Sequence, residues 1–314
     1  MRLAGLALLA ALFCLSLFVG NAPLSPADLL HDPAARDLLL VSRLPRTLAA
    51  VLAGAALAMT GQIMQILARN RFVEPMTAGA GQSAALGILL ITMLAPAAAL
   101  WIKMSVAALA ALAGSLGLIV LIRPLPPTQP LLVPLVALVY GGVIGAVATF
   151  IAYQDDMMQY LGIWLTGEFS GVLQGRYELL WLAGLAAGAS WLIADRLTLL
   201  ALGEDAARGL GLNVRAVTAA GLAAISVTTA IVVVTLGSIP FVGLVVPNLV
   251  ARITGDNLRR ALPVTALVGA ILVLGADILG RTLRAPFEIP ASSMVALVGA
   301  VIFIVLLSQG GRRA

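Results

Sequence analysis

"TLLALGEDAARGLGLNVRAV" (residues 198–217) lies between two long apolar runs, near 177–194 and 216–237. It holds Glu204, Asp205, Arg208 and Arg215 within twelve positions, in a 314-residue chain of which only 11% is charged. A short polar stretch between two such runs has the pattern of a connection between membrane spans. Composition agrees. Hydrophobic residues make up 61% of the chain and its mean hydropathy is +1.07, far beyond ordinary soluble domains. A helix needs about 20 mostly apolar residues to cross a hydrocarbon core of roughly 30 Å. Lipid offers backbone groups no hydrogen-bond partners, so spanning segments are helices or closed barrels. The apolar runs here are continuous rather than alternating, which predicts helices.

Ten such runs lie near 3–20, 47–67, 78–95, 101–122, 131–152, 177–194, 216–237, 239–253, 261–279 and 291–308. The run 239–253 is short and interrupted by Pro247, a pattern tolerated where backbone lines a cavity. The first run follows a basic residue as a signal peptide does, but no small-x-small site closes it. It reads as a retained span. Placing the N-terminus in the cytoplasm puts twelve of the 19 Lys and Arg residues inside, among them Arg69, Arg71, Arg123, Arg208, Arg312 and Arg313. Seven fall outside: Arg36, Arg43, Arg46, Lys103, Arg176, Arg281 and Arg284. The positive-inside rule favours that orientation, with both termini cytoplasmic. It also accounts for most of the +5 net charge, so nucleic acid is not expected as a partner.

Several chemistries are excluded. His31 is the only histidine, Cys14 the only cysteine and Lys103 the only lysine. There is no disulfide framework and no His- or Cys-based metal set. A phosphate-binding G-x-x-x-x-G-K-[ST] loop needs a lysine after glycine, and Lys103 follows Ile102. No paired carboxylates or His/Ser/Asp constellation occupies the spans. Asp155 and Asp156 fall in an outer loop. The chain is therefore expected to be no enzyme and to hold no metal or cofactor of its own.

The polar stretch has coherent local physics. Glu204 and Asp205 suit the first turn of a short helix. Glu204 and Arg208 are spaced i, i+4 in the favourable order. Gly209 and Gly211 stop the helix, and Asn213 can cap the next span. At nearly twenty residues the connection is far longer than linkage requires, which suits a docking surface. In the spans, Asp277 reads best as an ion pair with Arg281, the alternative being an ion-coupling group. Gln62 and Gln65 read as interhelix hydrogen bonds.

Five stretches, in order along the chain, resemble the FecCD-type permease subunits of iron-chelate and vitamin B12 ABC importers. They are "SRLPRTLAAVLAGAALAMTGQIMQ" (42–65), "ARNRFVEPMTAGAGQSAALG" (68–87), "LGEDAARGLGLNV" (202–214), "GSIPFVGLVVPNLVARITGDNLRRALPVTALVGA" (237–270) and "ADILGRTLRAPFEIPASSMVALVGAVIFIVLL" (276–307). Many family members carry a His where Asn248 stands and an "RNPLA" loop where this chain has "RNRFVEP". With "GEFSGVLQGRYE" (167–178), these departures resemble the branch that imports catechol-type ferric siderophores.

The resemblance implies one all-α transmembrane permease domain over residues 1–314, with about ten spans and the type II ABC importer fold. It sits in a bacterial inner (plasma) membrane. It implies a coupling segment at about 198–215 that meets a cytoplasmic ABC ATPase through Leu202, Gly203, Glu204, Asp205, Ala206, Ala207, Arg208 and Leu210. ATP and Mg would bind that partner. Arg43, Arg46, Arg281 and Arg284 match positions that pair with acidic residues of a periplasmic substrate-binding protein. A second permease chain, a copy or a paralogue, would share a translocation path lined by Tyr140, Gly141, Gly142 and Gly145 and by Ser292, Ser293 and Met294. "QYLGIWLTGEFSG" (159–171) is expected to form a short outer helix at the pore mouth, with Glu168 solvated. Haem or cobalamin is the alternative cargo, and an ion-coupled secondary transporter the alternative mechanism.

Overall fold

Each of the ten apolar runs folds into helix, and the described residues contain no strand. The computed structural model describes residues 2–20, 22, 24–125, 132–175, 177–255 and 257–310. Arg176, Arg312 and Arg313, counted above for orientation, lie outside the described residues. So does the first residue of the fifth apolar run. The helices are α1 (Arg2–Phe18), α2 (Leu44–Leu67), α3 (Ala80–Leu94), α4 (Leu100–Ile122), α5 (Leu132–Gln154), α6 (Leu179–Ala189), α7 (Val214–Leu236), α8 (Val242–Thr254), α9 (Leu258–Thr282) and α10 (Ala291–Gly310). Four of these, α4, α5, α7 and α9, and the continuous helix Pro33–Leu67 are long and apolar enough to cross a membrane. Short apolar stretches fill α1, α3, α8 and α10. The chain is a multi-pass, all-helical membrane protein.

The entry to α2 starts earlier than the apolar run at 47. Asp32 accepts the Ala34 N–H at 2.9 Å and Pro33 takes the first helical position, a strong start signal. A π-helical turn, Leu39–Arg43, then joins this helix to α2. The run at 177–194 also differs. After α6 a 3₁₀ turn (Ser190–Ile193) leads into a further helix, Ala194–Ala201.

The centre of the bundle is α2. Over the most apolar 18 residues of the continuous helix Pro33–Leu67, which contains α2, 78% are buried, against 22% for α5, so this helix is core and α5 faces outward. Between lipid-facing helices there is no hydrophobic gain, and close van der Waals approach through small residues holds them together. A side chain at Gly54 would place its Cβ 2.4 Å from the Gly269 carbonyl on α9, and one at Gly61 would sit 2.2 Å from the Gly243 Cα on α8. Gln62 and Thr265 clasp α2 to α9 at 2.7 Å. Pro247 has no N–H and leaves the Gly243 carbonyl four residues earlier without its helical donor. Gln65 on α2 fills that place, donating to Gly243 O at 3.2 Å and Leu244 O at 3.3 Å. Both glutamines are thus interhelix hydrogen-bonders, as their sequence context predicts.

Gly54→Leu is expected to destabilise the detergent-solubilised protein by about 1–3 kcal/mol, the scale of overpacking a filled core. Gly188→Leu on α6, where a Cβ meets nothing within 4 Å, leaves the melting curve in place. Equal melting curves for the two variants would contradict the α2–α9 backbone contact.

Candidate functional site

Two polar clusters stand at opposite ends of α2, which at 1.5 Å per residue puts them roughly 35 Å apart. One surrounds Glu204 and the other Asp277.

At the Glu204 end, the chain leaves the helix Ala194–Ala201, turns at Gly203 (φ 109°) and forms the short helix Glu204–Gly209. Gly211 (φ 78°) ends it. The Asn213 side chain then accepts the Ala216 N–H at 3.1 Å and caps α7. Ala207 is fully buried and seats the short helix on the bundle. Its two faces have different jobs. Glu204 turns inward, where its carboxylate meets Arg208 at 2.8 Å, Arg69 at 3.1 Å and Arg123 at 3.4 Å. It so ties the short helix to the ends of α2 and α4. Each pair is largely exposed and worth little alone, but three guanidiniums converge on one carboxylate. The outward face carries Leu202 and Leu210, 66% and 63% exposed, with Asp205 and Ala206 beside them. Two large aliphatic side chains are thus held out next to a fully exposed carboxylate. Of the eight residues expected to contact a partner, Ala207 is packed inside and Glu204 is spent on internal pairs.

At the Asp277 end, most of the arginines expected to meet acidic residues of a binding protein are turned inward. Arg281 is 2% and Arg43 7% exposed. Asp277 takes Arg281 at 2.7 Å and Arg46 at 2.8 Å, and Arg46 reaches on to Glu288 at 2.8 Å. Planar guanidinium forks suit this bridging between carboxylates. Arg281 also donates to Ser16 O at 3.1 Å, Val19 O at 2.7 Å and Ser16 Oγ at 2.7 Å. Arg43 donates to Val19 O and, at 3.0 Å, to Ala22 O. These carbonyls lie in the last turn of α1 and just beyond, where a helix leaves acceptors without intrahelical donors. Cations are favoured there. Arg43, Arg46 and Arg281 therefore fasten α1, α2 and α9 together. Only Arg284 stays outside, 5.8 Å from the Phe287 ring. The Asp277–Arg281 pair expected from i, i+4 spacing is present.

The expected path residues divide likewise. Tyr140 donates to Gly114 O at 3.0 Å. Gly141 is buried, and a Cβ there would lie 2.7 Å from Thr77 O. Ser292 N donates to Gly167 O at 3.0 Å, and Met294 is buried. These four serve packing within the chain. Gly142 and Ser293 are exposed and Gly145 is half-buried. The short helix Met158–Leu165 starts one residue before the expected stretch 159–171 and covers its first half, and Glu168, Asp155 and Asp156 are exposed.

Two acids escaped the sequence reading. Glu288 follows Asp277 by eleven residues in a connection, with no periodicity to betray its partner. Glu74, in "RNRFVEP", is 1% exposed. It accepts the N–H of Phe241 at 2.8 Å and of Leu244 at 3.1 Å. Burial pushes its carboxyl up to about 7, while the amides facing it pull the other way. An acid set directly among Phe72, Val73, Pro75 and Met76 was the signal available. No group of three or more His, Cys, Asp or Glu suited to a metal occurs among the described residues.

Residues 8–309 match the model of the FecCD transport family. The chain is 41% identical over 301 residues to the petrobactin import system permease protein YclN of Bacillus subtilis, covering 96% of this chain and 95% of that protein. It is 41% identical over 274 residues to the ferric-anguibactin transport system permease protein FatD of Vibrio anguillarum, covering 87% of each. A metal-chelate type ABC transporter solved in an inward-facing conformation superposes with a TM-score of 0.82 at 28% identity, over 98% of both chains.

Removing the central carboxylate leaves the buried Arg281 guanidinium without its ion-pair partner and Arg46 with Glu288 alone. Asp277→Ala is expected to cost about 3–5 kcal/mol, read as the melting shift in detergent, with Arg284→Ala near neutral. Glu204→Ala is expected to speed amide hydrogen exchange across 204–212 without moving the global melt. A global shift would mean that Glu204 belongs to the core.

Proposed function

Because the chain belongs to the FecCD transport family, we propose that it is one half of the permease of an ATP-driven importer that carries a ferric siderophore of catechol type into the cytoplasm. The observation that carries the reading is the short Gly-bounded helix Glu204–Gly209, seated by Ala207 and presenting Leu202, Asp205 and Leu210. A transporter that worked alone has no use for an apolar outward face on a connection. The similarity to the petrobactin and anguibactin permeases supports the cargo class.

In this reading the Glu204 end faces the cytoplasm, with both termini. A partner ABC ATPase binds ATP and Mg and receives the short helix. Closure of the ATPase pushes on its exposed face, while Glu204 carries the push to the ends of α2 and α4. A substrate-binding protein docks at the Asp277 end. Arg284 and the open side of Glu288 meet it directly, and Arg43, Arg46 and Arg281 hold the surface in shape. A second permease chain, a copy or a paralogue, packs against the exposed faces of α5 and α10. Gly142, Gly145 and Ser293 then border the path between the two. A chelated cargo brings its own ligands, so the permease needs none. The two arginines on Asp277 leave it no free role in ion coupling.

The experiment is purification of the tagged chain in mild detergent, with partners identified by mass spectrometry. Uptake of iron-55 complexed by petrobactin is measured alongside. An ATPase subunit with a P-loop is expected to co-purify. Leu202→Asp with Leu210→Asp removes it, because two carboxylates replace the apolar contact. A chain that purifies alone and transports without ATP overturns the reading. Uptake of cobalamin or haem in place of the ferric complex overturns the cargo class.

A further inference from the structure

The connection between α2 and α3, residues 68–79, meets more of the functional elements than a link between neighbouring helices needs to. At one end Arg69 pairs with Glu204 of the short helix at 3.1 Å. Next, Asn248 of α8 donates to the Arg71 carbonyl at 2.7 Å. The Phe72 ring meets Phe303 of α10 edge-on, with centroids 5.8 Å apart. Val73, Met76 and Ala78 are buried. At the other end the segment lies against α5. A Cβ on Gly79 would sit 2.6 Å from the Tyr140 ring, and Gly141 lets α5 approach Thr77 O.

The middle is pinned by Glu74. The first turn of α8 has no side-chain cap of its own, because Phe241 stands at that position with φ 71°. Glu74 caps it from outside, one carboxylate oxygen on the Phe241 N–H and the other on the Leu244 N–H. The positive end of the helix favours an anion there, and Glu74 has no ion-pair partner among the described residues. The segment is bracketed by two left-handed residues, Arg69 (φ 49°) and Gly79 (φ 98°), at the element-terminal positions where hinges occur.

We propose that residues 68–79 are a strap that carries displacement of the short helix Glu204–Gly209 to α8 and α5, and that Glu74 is the positioning residue that fixes the strap to α8. This rests on the importer reading. Without the pin, a push received through Arg69 moves the strap past α8 instead of moving α8 with it. Gln at position 74 has one acceptor oxygen and presents its NH₂ to the second backbone donor, so it cannot hold both amides. Asp keeps both acceptors one methylene short.

The test uses the permease–ATPase complex in liposomes with its binding protein and iron-55 complexed by petrobactin. The readout is iron carried per ATP hydrolysed. Glu74→Gln is expected to lower that ratio about tenfold, the scale of one charge-assisted hydrogen bond. ATPase co-purification and complex yield stay at wild-type levels. Glu74→Asp recovers part of the ratio. Arg69→Ala also lowers it, and the double variant falls no further than Glu74→Gln alone, because both act on one strap. Distant independent sites would instead add. Thr265→Val, which breaks the Gln62 clasp between α2 and α9, lowers stability and leaves the ratio unchanged. A wild-type ratio in Glu74→Gln overturns the strap. So does a parallel fall of yield, hydrolysis and uptake, since Glu74 is then only a cap for α8. A wild-type complex that holds an ATPase and carries the ferric complex keeps the importer reading alive through either result. A wild-type chain without an ATPase overturns both.

Discussion

The Asp277 carboxylate, almost dry and bridged by Arg46 and Arg281, is the interaction on which one whole end of the bundle depends. A bilayer gives a charge no water, so each charge buried there must bring its own complement. Three guanidiniums and two carboxylates meet that condition jointly. The arrangement also solves a second problem. The first helix ends among other helices, and its last carbonyls need donors. Arg43 and Arg281 supply them, so a charge cluster doubles as a helix cap. Single-pair energies mislead here, because Asp277, Arg43, Arg46 and Arg281 each satisfy at least two other groups and removing one strands its neighbours.

Away from that end, the bundle is held by close approach rather than by charge. The glycines of α2 at 54 and 61 bring its backbone against those of α9 and α8. The broken ladder at Pro247 becomes an asset. The carbonyl it releases is where Gln65 reaches across. Irregular backbone is stable at this depth because a neighbouring helix satisfies it. The same logic explains Glu74, a carboxyl group set against backbone amides at the start of α8. The interior therefore holds several points where one helix completes the hydrogen bonding of another, which makes relative motion of the helices a concerted event.

The Glu204 end follows different rules. It is exposed, its ion pairs are screened, and its stability comes from the buried methyl of Ala207 and from glycine turns. Such a surface is cheap to displace. The bundle therefore runs from a locked Asp277 end to a loosely tied Glu204 end.

Ten apolar runs, the short helix with its caps, the glutamine clasps and the Asp277–Arg281 pair were all legible in the sequence. Each depends on local periodicity, spacing or composition, and the bilayer's demand for satisfied backbones narrows the choice to helix. The inward turn of Arg43 and Arg46, the role of Glu288 and the capping of α8 by Glu74 were not legible. Arg46 and Asp277 stand 231 positions apart, and Glu74 and Phe241 167. Spacing along a chain carries no information about which helix faces which across such distances. The same holds for Tyr140 and Gly141, assigned to an open path by sequence and packed against residues 77–79 in the fold. The sequence by itself determined the class, the helices and the short polar helix between two of them. Only the tertiary structure decided which polar side chains are spent inside, because that depends on the neighbours each helix face meets when the bundle closes.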